Sequence, residues 1–555
     1  MVSGGDQRER SGLGQGRAVI GSIAISGFGT WAYNVGIAVY AYDRTHSAAW
    51  VAAVTVGRYV PALVLSWLAG RLVDRLPRRG LAVAADSGCA AIMLLLALFG
   101  ALDAPVWVMT LVAAVSSTLA RIQATALLSL AADVVVESKL VRASMLAGAW
   151  EAIATAAGSA AASAVLVRFT PPSLFLLNAV SFVASAAVVA NVRSVRATRT
   201  RVRPASTTPA QPRGTSGVVF WPLQATRAVA AAVYGVDVVL LTVIASRQLH
   251  AGTSGYGWLL SAAGVGGLTA VLPSRRDHGR STATLASGGL LVYALPLMIF
   301  AFSPPIGGGI AIQVVRGLGS VLVASSVISG LQRAVPSAMA GRVFGATQSL
   351  VLAGTCVGAV AAPVLLAVAG FKATLLIVAV VPAAVQVVLI PFLVRFDRRE
   401  ESLLAALDPR VTTLRGLELL RDASRSTLYE IADGIVDVAV EPGAVIVREG
   451  DDADALFVLV SGTVEATAHS PAGPVLLRTM SAPNYFGEIG VMRGVPRTAT
   501  VTAVAHSELW RVPAEVFAAA LSEAGVSGAL SDTVQIRFQT TSNSRPSAPQ
   551  AISTA

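Results

Sequence analysis

YFGEIGVMRGVPRTATV, residues 485–501, sets Glu488 and Arg497 nine residues apart among glycines and a proline. Phe486-Gly487 gives a turn where the backbone can approach a ligand closely, because glycine has no Cβ. Glu488 to Met492 can form a single helical turn, whose free N–H groups and positive dipole end favour an anion. Gly494 and Pro496 then break the chain before Arg497, whose guanidinium can grip a phosphate bidentately. Glu488 would repel a phosphate, so its carboxylate suits a sugar hydroxyl instead. From Arg497 onward, Thr-Ala-Thr-Val-Thr-Ala-Val alternates as a strand leaving the site. The stretch reads as a cradle for one phosphate and one ribose.

FGE at 486–488, followed nine residues after the Glu by the Arg of PRTA, closely resembles the phosphate-binding cassette of cyclic nucleotide-binding domains. The resemblance runs from Leu414 to Phe538. It includes the glycine turns Pro442-Gly443, Glu449-Gly450-Asp451 and Ser461-Gly462, where that β-roll turns its corners. It implies an α+β, jelly-roll-like domain with a pocket made by Phe486, Gly487, Glu488, Ile489, Arg497, Thr498 and Ala499. In such a pocket Glu488 and the Gly487 N–H take the ribose 2′-OH. Arg497 takes the cyclic phosphate, with help from the Thr498 hydroxyl and the Ala499 N–H. Among relatives Arg-Ala goes with cAMP, whereas Arg-Thr can help hold guanine; cAMP is the expected ligand and cGMP the alternative. Another reading is a degenerate pocket that binds nothing, with Glu488 and Arg497 a surface ion pair.

Upstream the chain changes character. Hydrophobic residues make up 54% of the 555 residues and charged ones only 13%, with a mean hydropathy of +0.67. That composition belongs to a polytopic α-helical membrane protein rather than a soluble enzyme. The net charge of +11 invites a nucleic-acid partner. Its arginines, however, cluster in short loops between apolar runs, which is a topology signal and not a DNA patch. The two cysteines, Cys89 and Cys356, lie inside apolar segments, which excludes a disulfide scaffold. The first apolar run, from Ala18 to Tyr42, is too long for a cleavable signal peptide.

A bilayer-spanning helix needs about 20 mostly apolar residues. Twelve candidates start near residues 18, 48, 80, 104, 143, 172, 226, 254, 282, 307, 344 and 373. With a cytoplasmic N-terminus, every second loop is basic: Arg71, Arg75, Arg78 and Arg79; Lys139 and Arg142; Arg193 to Arg213; Arg275, Arg276 and Arg280; Arg333 and Arg342. The intervening loops hold about one basic residue each, so both termini are expected inside. The Pro/Ser/Thr/Arg-rich segment 193–216 divides the spans into two sets of six.

Two six-helix halves on a cytoplasmic linker, with Gly70-Arg71-Leu72-Val73-Asp74-Arg75 and then Arg78-Arg79 between spans 2 and 3, resemble the major facilitator superfamily (MFS). That superfamily's loop signature reads G-x-x-x-D-R-x-G-R-R, and Pro77 replaces its second glycine here. The resemblance implies a pseudo-symmetric 6+6 fold and a cytoplasmic gate in which Gly70, Asp74, Arg75, Arg78 and Arg79 form a charge relay latching the halves.

Ionisable side chains at mid-bilayer cost roughly 2.5–3.5 kcal/mol each, so each needs a reason. Arg58, Arg121 (with Gln123), Glu151, Asp237 and Arg316 fall in spans 2, 4, 5, 7 and 10. Arg121 also matches the position of a span-4 arginine in proton-coupled members of the superfamily. Either these residues face a central cavity, where Glu151 or Asp237 takes up a proton beside Arg121 or Arg58, or they are static pairs that fix helix packing. Span 5 carries Ala156-Ala157-Gly158-Ser159-Ala160 in place of the Gly-Pro motif usual in the superfamily's antiporters. Its small residues, like Gly354 and Gly358 in span 11, permit close helix approach.

The expected domains are an N-terminal tail 1–17, a first bundle 18–192, the linker 193–216 and a second bundle 217–396. An amphipathic connector 397–413, the nucleotide domain 414–540 and a polar tail 541–555 follow. Helices are expected from Ala514 to Glu523 and from Leu530 to Phe538. The polar tail leaves no room for a helix-turn-helix, so no nucleic-acid partner is expected. The five histidines are scattered, and no nucleophile–base spacing, metal site or cofactor is readable; no enzyme is expected. The partners are the lipid bilayer, a cyclic nucleotide and an unidentified small molecule, with the oligomeric state open. The resulting expectation is a plasma-membrane secondary transporter, of small-molecule efflux type, controlled by cytoplasmic cyclic nucleotide. A transport-inactive membrane receptor and a ligand-gated channel are the other classes, the channel lacking a pore-filter sequence.

Overall fold

A computed structural model describes residues 3–65, 71–73, 75–134, 140–192, 220–249, 252–274, 281–335, 337–421, 423, 425–470 and 473–517. Gly70, Asp74, the 193–216 linker, the helix expected at 530–538 and the 541–555 tail lie outside the described residues. The side chain of Glu151 does too. The chain divides into two compact units that part at Arg398/Arg399.

The first unit is helical, as apolar stretches must be where no water is at hand to satisfy the backbone. Its helices are α1 (Ser3–Thr45), α2 (Ala48–Val64), α3 (Arg78–Ala101), α4 (Val106–Val134), α5 (Leu140–Leu166) and α6 (Pro172–Ala190). They continue as α7 (Trp221–Val243), α8 (Gly252–Ser274), α9 (Thr282–Ala294), α10 (Ile306–Ala334) and α11 (Ser337–Gly416), whose residues from Arg399 onward belong to the second unit. A π-helical turn, Ile244–Gln248, extends α7, and a 3-10 turn, Leu295–Phe302, extends α9. Within α11, Gly370 has φ 75° and ψ 174°, a conformation only glycine adopts at no steric cost. It breaks the run in two, close to residue 373, where one apolar stretch is expected to give way to the next. Among the described residues, seven helices are long and apolar enough to cross a membrane, and Ala48–Val64 and Ile153–Leu166 are shorter apolar helices.

Small residues let these helices touch backbone to backbone. A Cβ on Gly158 of α5 would stand 2.4 Å from the Phe28 carbonyl oxygen of α1. One on Gly358 of α11 would stand 1.9 Å from the Ala232 carbonyl oxygen of α7. A single buried core takes residues from both expected halves, among them Val35, Met93 and Phe175 with Leu240, Leu297 and Phe300.

The second unit is two four-stranded antiparallel sheets. Its strands are β1 (Val436–Val440), β2 (Val445–Val447), β3 (Ala455–Ser461), β4 (Thr463–Ser470), β5 (Gly473–Ser481), β6 (Asn484–Phe486), β7 (Thr500–Ala503) and β8 (Ser507–Pro513). One sheet runs β1-β8-β3-β6 and the other β2-β7-β4-β5. Val447, Phe457, Leu459, Val464, Met480, Val501 and Leu509 form a core drawn from both sheets. A second core joins Val411, Leu414 and Leu420 to Leu428 and Ile431 of α12 (Arg425–Asp433) and to Leu456 and Val512 of the first sheet. The corners fall on glycines in the left-handed region: Gly443 at φ 84°, Gly450 at φ 90° and Gly462 at φ 95°. These are the three turns marked in the sequence. The helix expected at 514–523 starts at Ala514 and is described as far as Phe517.

Candidate functional site

The 485–501 stretch folds as its residues dictate. Strand β6 ends at Phe486, whose ring stacks on Phe457 of β3 at 5.3 Å. Gly487 turns the chain at φ 86° and caps the helical turn α13 (Glu488–Arg493). Gly494, at φ 64°, closes that turn with its N–H on the Gly490 carbonyl. The chain then returns through Pro496 so that Arg497 comes back to Gly487. Arg497 Nη1 donates to the Gly487 carbonyl at 3.2 Å, and its Nη2 donates to Asp454 Oδ1 at 3.0 Å. The guanidinium also lies 5.8 Å from the centre of the Phe457 ring.

Backbone bonds brace the same corner: Arg497 N–H donates to the Asp451 carbonyl at 2.8 Å, and Gly450 N–H donates to the Arg497 carbonyl at 2.9 Å. Thr498 and Ala499 lie half-buried in the bend before β7, and Ile489 is buried beside Glu488. Glu488 and Arg497 are only 4% and 5% exposed, so both are buried rather than surface side chains. Such a corner offers a buried cation, a buried carboxylate and a backbone turn stripped of Cβ, which is the chemistry of an anion bearing a hydroxyl.

Asp454 is the residue that sequence reasoning missed here. It accepts from Arg497 and, at 2.7 Å through its other oxygen, from Arg511 of β8. Burial pushes its carboxyl up, but Arg511 and Arg497 outweigh this and hold it below the usual carboxylate range. Asp454 lies in no motif, and 43 residues separate it from Arg497. Only the pairing of β3 with β6 and β8 brings the two together.

In the first unit, Asp237 and Arg316 are one cluster. Arg316 Nη2 reaches both carboxylate oxygens at 2.8 Å, its Nε donates to the Tyr293 carbonyl, and the Tyr293 hydroxyl donates to Asp237 Oδ2. Arg58 lies apart from this pair, bonded to Asn34 Oδ1 at 2.6 Å. The Gln348 carboxamide, turned so that its oxygen accepts, lies 3.3 Å from the Arg121 guanidinium. Gln123 serves a carboxylate outside the expected charged set: it donates to Asp86 Oδ1 at 2.9 Å, while Ser185 donates to Oδ2 at 2.8 Å. Asp86 is fully buried. Its signal was a lone acid inside the apolar run after Arg79. Of the expected gate, Arg78 donates to the Ser129 carbonyl at 3.3 Å and Arg79 to the Ala190 carbonyl, both in the first half. Arg75 is exposed.

Comparison with known proteins gives two family matches. Residues 19–359 match the Major Facilitator Superfamily, and residues 437–524 match the cyclic nucleotide-binding domain. A cAMP-dependent protein kinase regulatory subunit of Yarrowia lipolytica is 34% identical over 90 residues, 16% of this chain and 24% of that protein. The acetyltransferase Pat of Mycolicibacterium smegmatis is 33% identical over 94 residues, 17% of this chain and 28% of that protein. The chain thus spans about a quarter of the length of these curated relatives. Among solved structures, the sensor domain of the transcriptional regulator DNR from Pseudomonas aeruginosa is 23% identical, covering 27% of this chain and 98% of its own, at a TM-score of 0.23.

Proposed function

Because this chain belongs to the Major Facilitator Superfamily and carries a cyclic nucleotide-binding domain in its C-terminal region, we propose that it is a secondary transporter of small molecules, working in efflux, whose activity is set by intracellular cAMP. Twelve spans, with both termini cytoplasmic in the plasma membrane, put the second unit on the side where cyclic nucleotides are made. Glu488 holds the ribose 2′-OH, and Arg497, with Thr498 and Ala499, holds the cyclic phosphate. The protein itself makes and breaks no covalent bond.

The observation that carries this reading is the return of buried Arg497 to the Gly487 turn. Burying a guanidinium is costly unless it is hydrogen-bonded and paired. This one is held by the very turn that the FGE motif supplies. The names of the kinase regulatory relatives, which are cAMP-dependent, support cAMP over cGMP. Regulation requires that nucleotide bind one transport conformation better than the other; a coupling of about 1–3 kcal/mol changes activity 5- to 150-fold.

Equilibrium titration of the full chain in lipid nanodiscs with cAMP, cGMP and non-cyclic 5′-AMP tests the ligand assignment. We expect cAMP to bind most tightly and 5′-AMP least. Equal binding of all three, or of none, rejects it.

A further inference from the structure

Beyond the break at Gly370, α11 turns one apolar face outward. Val381, Val385, Val388 and Phe392 follow one another at helical steps of four and three residues, and all are exposed. They therefore form one stripe along the helix. The opposite face is packed: Leu393 and Phe396 are buried with Leu223 of α7 and Val327 of α10. The next position on the exposed stripe is Arg395, where the apolar run gives way to a cation. From Val381 to Phe392 the helix rises about 16 Å at 1.5 Å per residue, half of the roughly 30 Å hydrocarbon core of a bilayer. The stripe is one leaflet deep.

Its charged end is a notch. There α7 begins, and Trp221, 40% exposed, sets its ring edge-on to Phe392 with the centres 4.9 Å apart. The Arg395 guanidinium lies 5.7 Å from the centre of the same Phe392 ring. Arg398, one turn further along α11, is exposed. Asp397, the acid beside them, is turned the other way. It is 7% exposed, accepts from the Ser281 hydroxyl, and accepts from the Ala283 N–H at 2.8 Å, at the start of α9.

Each part of this surface suits a different part of one molecule. An acyl chain covers the valines, where water would be unfavourable. The two rings suit the boundary between hydrocarbon and water, where an indole N–H can donate to an ester or phosphate oxygen. A guanidinium grips a phosphate bidentately. Free phosphate would serve Arg395 and leave the stripe bare. A zwitterionic headgroup would bring its own cation against Arg395 and Arg398.

We infer that Trp221, Phe392, Arg395 and Arg398 bind one anionic phospholipid. Its phosphate sits on the two arginines, its glycerol esters lie at the rings, and an acyl chain runs along Val388, Val385 and Val381. The site requires α11 to cross the bilayer and is independent of what is transported and of nucleotide binding.

The test uses the full-length protein in lipid nanodiscs whose acyl chains carry bromine, which quenches an indole only on contact. The share of tryptophan emission lost in Trp221→Phe reports on Trp221. Brominated phosphatidylglycerol should quench that share at a mole fraction about 5-fold lower than brominated phosphatidylcholine, the factor that one arginine near the membrane surface supplies. Arg395→Gln should abolish most of this preference, and Arg395→Lys, which keeps the charge without the planar fork, should retain part of it. Arg342→Gln, which removes an exposed arginine elsewhere, should leave it unchanged. Soluble glycerol 3-phosphate should not displace the brominated lipid.

Equal quenching by the two lipids in the wild type, or a preference that survives Arg395→Gln, would overturn the inference. An equal loss in Arg342→Gln would make the preference a diffuse effect of net charge and overturn it too. Displacement by glycerol 3-phosphate would make this a site for free phosphate esters. Quenching by neither lipid would mean that protein covers the notch. Either result rejects the lipid.

Discussion

Arg497 and Asp454 form a lopsided ion pair: the guanidinium is 4% exposed, the carboxylate 61%, and they meet at 3.0 Å. The buried partner thus depends on an exposed one for its counter-charge until a ligand arrives. Because Arg511 and Arg497 hold the Asp454 carboxyl below its ordinary range, the pair is charged at every physiological pH. A depressed carboxylate contributes stability above its unfolded value near 3.9, and loses that contribution as pH falls through the lower folded value. Nucleotide affinity should therefore be flat between about pH 5 and 8 and change only in more acid solution. Titration of cAMP across this range checks it; an inflection near neutrality would mean that another group controls Arg497.

Arg497→Ala should cost roughly 2–5 kcal/mol of nucleotide affinity, as for other desolvated charge partners. Gly487→Ala attacks the same place from the other side. Its Cβ would stand 2.6 Å from Arg497 Nη1, at a φ of +86° that L side chains rarely adopt. The left-handed conformation alone costs about 1–2 kcal/mol, and the arginine must also move. Both variants should keep the β-sheet circular-dichroism signal of the domain while losing cAMP in calorimetry. Unchanged binding in Gly487→Ala would show that this turn does not place Arg497.

Asp237 and Arg316 make the opposite kind of pair, buried on both sides, with Arg316 Nη2 donating to both carboxylate oxygens. Asp237→Leu leaves Arg316 buried without its partner and should destabilise by about 3–5 kcal/mol. Adding Arg316→Met should restore most of it, because removing a whole buried pair is often neutral. Thermal unfolding of the two single variants and the double variant measures this. A double variant no better than the sum of the singles would mean that the pair is not the unit.

What was legible in the sequence was local. Gly443, Gly450, Gly462, Gly487 and Gly494 announced their turns because sterics at a single residue decide them. Apolar runs announced the helices, and the break that the structure shows at Gly370 falls close to the expected start of a run near residue 373. Partnerships across the fold were not legible. Asp454 reaches Arg497 over 43 residues and Asp237 reaches Arg316 over 79, and nothing in the spacing encodes either. Asp86 was hidden for another reason: its partners Gln123 and Ser185 are neutral, so no charge pattern pointed to it. The charged residues were expected either to share one cavity chemistry or to form static pairs; Asp237 is engaged by Arg316, and Arg58 by Asn34 and aromatic rings.

The central claim is that nucleotide bound in the second unit changes the state of the first. Native Cys356, half-buried in α11 after Gly354, offers a reporter that needs no knowledge of the substrate, while Cys89 is buried. The decisive measurement is the rate at which a membrane-permeant maleimide labels Cys356 in the full-length protein, with and without saturating cAMP, in the wild type and in Arg497→Ala. The account predicts a rate changed by about 5-fold or more, as a coupling of at least 1 kcal/mol requires, and no change in Arg497→Ala. An identical rate in the wild type, with cAMP shown to be bound, would contradict it.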